Sequence, residues 1–244
     1  MKLRGSVHDV QRLSPSDRDA MFELMEQNYA NMRRDRFDTD LNAKQWAIVV
    51  RSPQTGCIVG FSTQVMLTAR INNEPVRALY SGDTVVDREH WGDPALASAW
   101  GNFALELIDQ HPPGTLYWFL TSKGFRTYRY LPLFFRTYFP RYDTQTPAWE
   151  RSVIDCFGQR IGGELFDPRN QIIRAAPGKD HVKPEIAEPG SRACTDSHIR
   201  YFVERNPGFA RGDELCCLAP LTRENFTRAA YRVIGAQPTA LNTA

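Results

Sequence analysis

The sequence lacks an excess of charge of either sign. Lys and Arg number 30 against 28 Asp and Glu, leaving a net charge of +2. Binding a nucleic acid through bulk charge needs a far more lopsided balance, so a nucleic-acid partner is not expected. No apolar run approaches the ~18 residues of a membrane span, so no membrane partner is expected either. Met1 to Gly5 leads into no apolar stretch, which predicts no secretory leader. Cys57, Cys156, Cys194, Cys216 and Cys217 are five in number and lack framework spacing, which points to a reducing, cytoplasmic compartment. His8, His90, His111, His181 and His198 are dispersed and share no metal-ligand spacing with them, so no metal is expected. Dinucleotide, phosphate-loop, nucleophile-elbow and zinc-protease motifs are missing as well. There is no internal repeat and no low-complexity tract.

What is present is ordinary material for a folded chain: 42% hydrophobic and 11% aromatic residues over 244 positions, enough to bury a sizeable core. Val7 to Leu13 reads as a short strand, and Ser14-Pro15 as the cap and first residue of a helix. Ala20, Met21, Leu24, Met25 and Tyr29 form the stripe of that helix. Trp46 to Val50 reads as a buried strand, Cys57 to Leu67 as the next, and Val76 to Val86 as its antiparallel return through an Asn72-Asn73 turn. Asp93-Pro94 repeats the cap-and-proline signature, and Leu96, Trp100, Phe103 and Leu107 mark one face of a helix running to about Gln110. His111-Pro112-Pro113-Gly114 stops it before an apolar strand over Thr115 to Thr121. Strand, helix and strand in that order suit a parallel crossover.

The stretch from Tyr117 to Tyr142 holds eleven aromatics and five basic residues with no acid. Its periodicity suggests aromatics packed inside and arginines outside rather than an RNA platform. Pro132 and Pro140 bound a second short helix. Further on, Trp149 to Arg160 and Asp196 to Arg205 read as helices, Asp167 to Glu188 as loop, and Glu214 to Leu218 as a strand. On that strand Cys216 and Cys217 would point to opposite faces. Arg223 to Ile234 reads as a closing helix capped by Thr222.

This order of elements resembles the Gcn5-related N-acetyltransferase superfamily. Gly56-Cys57-Ile58-Val59-Gly60-Phe61 looks like that family's third strand. Val86-Asp87-Arg88-Glu89-His90-Trp91-Gly92-Asp93-Pro94-Ala95-Leu96 overlays without gaps on its motif A. Val86, Glu89 and Gly92 match, and His90 puts a ring in the aromatic place. Trp91, Pro94 and Leu96 depart from the motif, and Pro94 removes one N–H donor. Tyr117 to Thr121 resembles the next strand, and Phe134 to Phe139 the helix of motif B. The resemblance implies an α/β fold, acyl-CoA N-acyltransferase-like. Its mixed, largely antiparallel central sheet has a parallel splayed strand pair flanked by helices, and an α-rich C-terminal extension follows. Residues 1–145 would form the acyltransferase domain and 146–244 the extension, serving as a lid, a partner contact or a dimer interface.

The activity implied is acyl transfer from a pantetheine thioester to the amine of a small metabolite by direct attack. The donor would be acyl-CoA or a phosphopantetheine-linked acyl group on an acyl carrier protein. Such chemistry needs a base for the amine and an acid for the departing thiolate. Candidates for proton handling are Asp83, Glu89 and His90 at the strand end, with Tyr138 or Tyr128 as thiol acid. The resemblance places Val85, Val86, Trp91, Gly92, Asp93, Ala95 and Leu96 at the donor, and Tyr80, Ser81, Ser122 and Lys123 at the acceptor. Each has a structural reading beside the functional one. Asp83 next to Gly82 suits a strand bulge, His90 and Glu89 a solvated turn, and Tyr128 and Tyr138 an aromatic core. Cys156 has no recognisable base partner and reads as core. The rival functions are a non-catalytic module that kept the fold, and a transferase using aminoacyl-tRNA.

Overall fold

The computed structural model describes residues 2–112, 114–188, 190 and 195–236. Cys194 and Pro113, named above, lie outside them. Strands are β1 (Arg4–Asp9), β2 (Tyr29–Ala30), β3 (Trp46–Arg51), β4 (Ile58–Ile71), β5 (Glu74–Val86), β6 (Leu116–Ser122), β7 (Phe166–Asp167), β8 (Ile172–Ile173), β9 (His181–Val182) and β10 (Glu214–Pro220). Helices are α1 (Pro15–Asn28), α2 (Arg34–Asn42), α3 (Ala95–Gln110), α4 (Phe125–Tyr128), α5 (Tyr130–Phe134), α6 (Ala148–Gly162), α7 (Pro184–Ala187), α8 (Ser197–Arg205) and α9 (Arg228–Ile234).

Local chemistry explains most boundaries. Ser14 Oγ accepts from Asp17 N at 3.1 Å to start α1, and Asp93 Oδ1 accepts from Ala95 N at 2.8 Å to start α3. Asn72 and Asn73 carry φ of 50° and 68° in the β4–β5 turn, a conformation asparagine tolerates. The main sheet has eight strands in the order β1-β3-β4-β5-β6-β10-β8-β7. Within it β5 and β6 run parallel, and the other pairs are antiparallel. This is the mixed, largely antiparallel sheet with one parallel pair that the motif resemblance implied. Side chains alternate across it as strand geometry requires. Leu116, Trp118, Leu120, Leu215 and Cys217 face α3, α5 and α9, whereas Tyr117, Phe119, Cys216 and Leu218 face α6. Cys216 and Cys217 thus stand on opposite faces, both fully buried. Towards β3 the second face is covered by α1 and α2 through Met21, Leu24, Phe37 and Leu41. No helix among the described residues is long and apolar enough to cross a membrane.

Three expectations are corrected. Val7 to Leu13 is not one strand: β1 ends at Asp9, whose carboxylate accepts from Gln11 N and opens a 3₁₀ turn over Val10–Arg12. Phe134 to Phe139 is not a helix. Helical turns occupy α4 and α5 upstream, and the chain then extends, so that Phe139 and Leu218 exchange backbone hydrogen bonds of 2.7 Å in both directions. Pro140 disfavours helical backbone at Phe139, and pairing with β10 takes its place. Arg223 to Ile234 divides into a 3₁₀ turn capped by Thr222 and α9 capped by Thr227. The division is held by the Asn225 amide, which donates to Thr137 O and to Pro220 O, each at 2.8 Å.

The segment after residue 145 is not only helical. Through β10, β8 and β7 it supplies three strands to the same sheet. The sheet therefore runs unbroken past that boundary, because every residue of β10 from Glu214 to Ala219 is buried between two layers.

Candidate functional site

The site begins with a mismatch in strand pairing. On β4 and β5, Ser62 faces Thr84 but Gln64 faces Ser81, so Gly82 and Asp83 together oppose Thr63. That is a β-bulge, and it turns Asp83 out of the regular alternation. Gly82 is required there, since a Cβ would stand 2.7 Å from both Lys44 Cε and Thr63 Oγ1. Beside the bulge the parallel pair also ends. β5 and β6 are paired from Arg77↔Leu116 to Ser81↔Leu120, and beyond that point they part.

Two connected spaces follow from the parting. A slot of about 50 Å³ has walls from both strands and from α3 and α5, among them Leu96, Trp100, Trp118, Leu120 and Phe134. Gly82, Thr84, Thr121 and Tyr130 also line a cavity of about 950 Å³. The cavity lies between the ends of β5 and β6, the α1–α2 region and the segment from Lys179 to Glu188. That segment is tied down by the β2–β9 ladder, in which Tyr29 faces Val182 and Ala30 faces His181. A further tie is Arg36 Nη1 donating to Gly178 O at 3.2 Å. The second half of the chain thus builds one wall of the cavity.

Charge is concentrated inside. Lys123 is paired with Asp180 and stands 3.5 Å from Glu214, which Lys179 also meets at 2.7 Å. Burial would raise the Glu214 carboxyl, but Lys123 and Lys179 outweigh it and hold it down at about 2. Burial alone would lower Lys123, yet Glu214 and Asp180 keep it well above the usual lysine range. Lys44, only 6% exposed, pairs with Asp40 at 2.6 Å. Tyr29, under the Lys123 ammonium at 5.6 Å, is pushed up to about 12 by burial. Asp83 differs from the other acids. Among the described residues it has no hydrogen bond and no ion pair. Burial and then the Asp40 charge push its carboxyl up to about 6, against the opposing pull of Lys123 and Lys44. A carboxyl in that range changes protonation near neutral pH, the property a proton acceptor needs.

Of the residues singled out from the sequence, Asp83, Lys123, Tyr80, Val85, Val86, His90, Trp91, Gly92 and Asp93 all line the cavity. Tyr80 OH lies 3.3 Å from Thr121 Oγ1, and Trp91 Nε1 donates to Val86 O at 2.9 Å. Leu96 and Ser81 reach only the slot. Ser81 is held between Gln64 Oε1 at 2.6 Å and Trp118 Nε1 at 2.8 Å. Ala95 is buried against Gly5, Ser122 is fully buried in β6, and Glu89 is exposed on a 3₁₀ turn. The structure does not bring Tyr128 or Tyr138 to the cavity. Tyr128 is fully buried and donates to Pro140 O at 3.0 Å, and Tyr138 OH is 3.1 Å from His198 Nδ1. Burial raises both phenols above their ordinary range.

Sequence reasoning missed Tyr29, Asp40, Tyr130, Lys179, Asp180 and Glu214. Glu214 carried a signal, as an acid opening an otherwise apolar strand. Lys179 and Asp180 carried none, because a polar stretch reads as solvated loop until its neighbours are known.

The sequence matches no protein-family model and no curated protein. Among solved structures, the chain is similar to a conserved protein of unknown function from Enterococcus faecalis V583, described as a probable N-acyltransferase. The identity is 13% and the TM-score 0.42, over 64% of this chain and 43% of that one. It is also similar to a GNAT family N-acetyltransferase from Escherichia coli solved in complex with CoA, at 12% identity and a TM-score of 0.37, over 50% of this chain and 65% of that one. A third is glucosamine-6-phosphate N-acetyltransferase from Arabidopsis thaliana, at 14% identity and a TM-score of 0.38, over 59% of this chain and 96% of that one. The first two are covered over less than two thirds of their length. What this chain does has to be argued from its own residues.

Proposed function

We propose that the protein is an N-acyltransferase that moves an acyl group from a pantetheine thioester to the amine of a small metabolite. The observation that carries this reading is the parting of β5 and β6 beyond Ser81 and Leu120. It opens an apolar slot directly beside Asp83, a buried acid of the cavity whose carboxylate has no hydrogen-bond or ion-pair partner among the described residues. The acyl end of the donor lies in the slot, and its thioester carbonyl faces the cavity. The amine nitrogen attacks the carbonyl carbon, the carbon–sulfur bond breaks, and Asp83 takes the proton that the amine gives up. Tyr130, which lines both spaces and whose phenol burial raises, supplies a proton to the departing thiolate. Lys123 is fully engaged by Asp180 and Glu214 and serves to hold the wall in place.

The test is thiol release from acyl donors in the presence of a panel of primary amines, followed across pH. The rate rises as Asp83 ionises around pH 6, and Asp83→Asn lowers kcat by roughly 10²–10⁴-fold. A folded protein that releases no thiol with any donor and amine supports the non-catalytic module instead. An unchanged rate and pH profile in Asp83→Asn would remove Asp83 from the chemistry.

A further inference from the structure

The wall of the cavity made by α2, the ends of β5 and β6, the Lys179–Asp180 segment and the start of β10 is rich in charge. Most of that charge is spent inside the protein. Arg33 pairs with Asp35 at 2.6 Å, and Asp40 with Lys44 at 2.6 Å. Lys123 lies between Asp180 and Glu214, and Lys179 completes the group on Glu214. Among the described residues of this wall, the charged groups left without an ion pair are Asp83 and Arg36. They are of opposite sign.

A guanidinium presents five N–H donors. In Arg36 only one of them is taken among the described residues, where Nη1 donates to Gly178 O at 3.2 Å. The rest form the planar fork that meets a carboxylate through parallel hydrogen bonds. The Asp83 carboxylate and the Tyr29 phenol have no hydrogen bond among the described residues either, and neither is sealed from the cavity. The two unpaired charges belong to one surface. Lys44 reaches from Asp40 to the bulge, where its Nζ would stand 3.3 Å from a Cβ on Gly82. Arg36 precedes Asp40 by one turn of α2, about 5.4 Å along the axis and on the same face.

A ligand seated on this wall has both charges to answer. A simple amine has its proton acceptor in Asp83 but leaves the guanidinium unanswered. An amine that also carries a carboxylate satisfies each end. One guanidinium matches the single charge of a carboxylate, whereas a phosphate monoester brings about two.

We propose that the acceptor is an amino acid, acylated on its amine beside Asp83 while Arg36 holds its carboxylate. The proposal rests on the acyltransferase reading and names the substrate class of the same site. The amine nitrogen bonds to the acyl carbon as the carbon–sulfur bond breaks. The amine's proton passes to Asp83, the thiolate gains one from Tyr130, and the carboxylate is carried unchanged into an N-acyl amino acid.

The test is acetyl transfer from acetyl-CoA, or from an acetyl-loaded carrier protein, to L-alanine, L-glutamine, L-phenylalanine and β-alanine. Each is compared with its own carboxamide, with rates expressed per unprotonated amine. The best acid is expected to exceed its amide by about 10–100-fold in kcat/KM, the worth of a hydrogen-bonded charge. Arg36 is exposed, so its variants report on binding rather than on folding. Arg36→Gln should bring the acid-to-amide ratio to within about threefold of one, and Arg36→Lys, which keeps the charge without the fork, should fall between. Amides acylated as fast as their acids, or a ratio unmoved in Arg36→Gln, would overturn the proposal and leave the acyltransferase reading intact. Phosphoethanolamine outpacing every acid would overturn it in favour of a phosphate. Thiol release with none of these acceptors, acids or amides, would remove that reading and this one with it.

Discussion

Asp83 is a cost to the fold as well as a candidate base. An unfolded aspartate titrates near 3.9, whereas this carboxyl is pushed up to about 6. Between those values the folded chain holds the proton that the unfolded chain has lost, so stability falls as pH rises from about 4 to about 6 and is flat above. The loss is on the order of 2–3 kcal/mol. Asp83→Asn is therefore expected to be the more stable protein at pH 7.5, with the gap closing at pH 4, as read by urea unfolding at the two pH values. Equal stabilities throughout would mean that Asp83 sits in an ordinary environment. Glu214 has the opposite sign. Held down at about 2, it contributes stability above its unfolded value that is lost as pH falls towards 2. Glu214→Gln leaves Lys123 and Lys179 short of their shared partner, and an expected cost of about 3–5 kcal/mol at pH 7 should show as a lower urea midpoint. Both signs come from neighbours far apart in sequence. Asp83 beside Gly82 signalled the bulge, but the absence of a cation partner could be read only in three dimensions.

The slot between β5 and β6 is set by element packing. Trp100 on α3 lies against Trp118 on β6 with ring centroids 4.6 Å apart, and Trp100 is only 9% exposed. A space of about 50 Å³ admits about four non-hydrogen atoms, at 10–15 Å³ for each water-sized probe. Acetyl and propionyl donors should accordingly transfer fastest, with octanoyl slower by about tenfold or more. Trp100→Leu should narrow that difference by deepening the slot, as kcat/KM across a chain-length series would show. An unchanged order in the variant would place the acyl group elsewhere. The helix stripe of Leu96, Trp100, Phe103 and Leu107 was legible in the sequence because a 3.6-residue period needs only one element to be seen. The Tyr128 and Tyr138 candidates were drawn from the same aromatic run, yet packing buried them and left Tyr130 at the cavity. Spacing says that aromatics share a face, but not whether that face meets solvent or core.

At the scale of the whole molecule, the second half of the chain is part of the sheet and of the site. β10 pairs with β6 over six residues, Leu215↔Ser122 to Pro220↔Tyr117, and Lys179, Asp180 and Glu214 line the cavity. A chain ending at residue 145 would expose the Tyr117 and Phe119 face that α6 covers, along with the open edge of β6. Such a fragment is expected to lack near-ultraviolet circular dichroism and a cooperative melt. A sharp unfolding transition in it would establish an independent first domain. By itself the sequence determined the order and type of most elements, the caps at Ser14 and Asp93, and the parallel crossover through α3. These depend on neighbours within a few residues, where propensity, periodicity and capping act. Only the tertiary structure decided that β10 enters the sheet, that Lys179 and Asp180 reach the cavity, and that Asp83 stands there without a partner. Long-range strand pairing and the electrostatics of burial depend on which distant segments meet, and no local pattern carries that information.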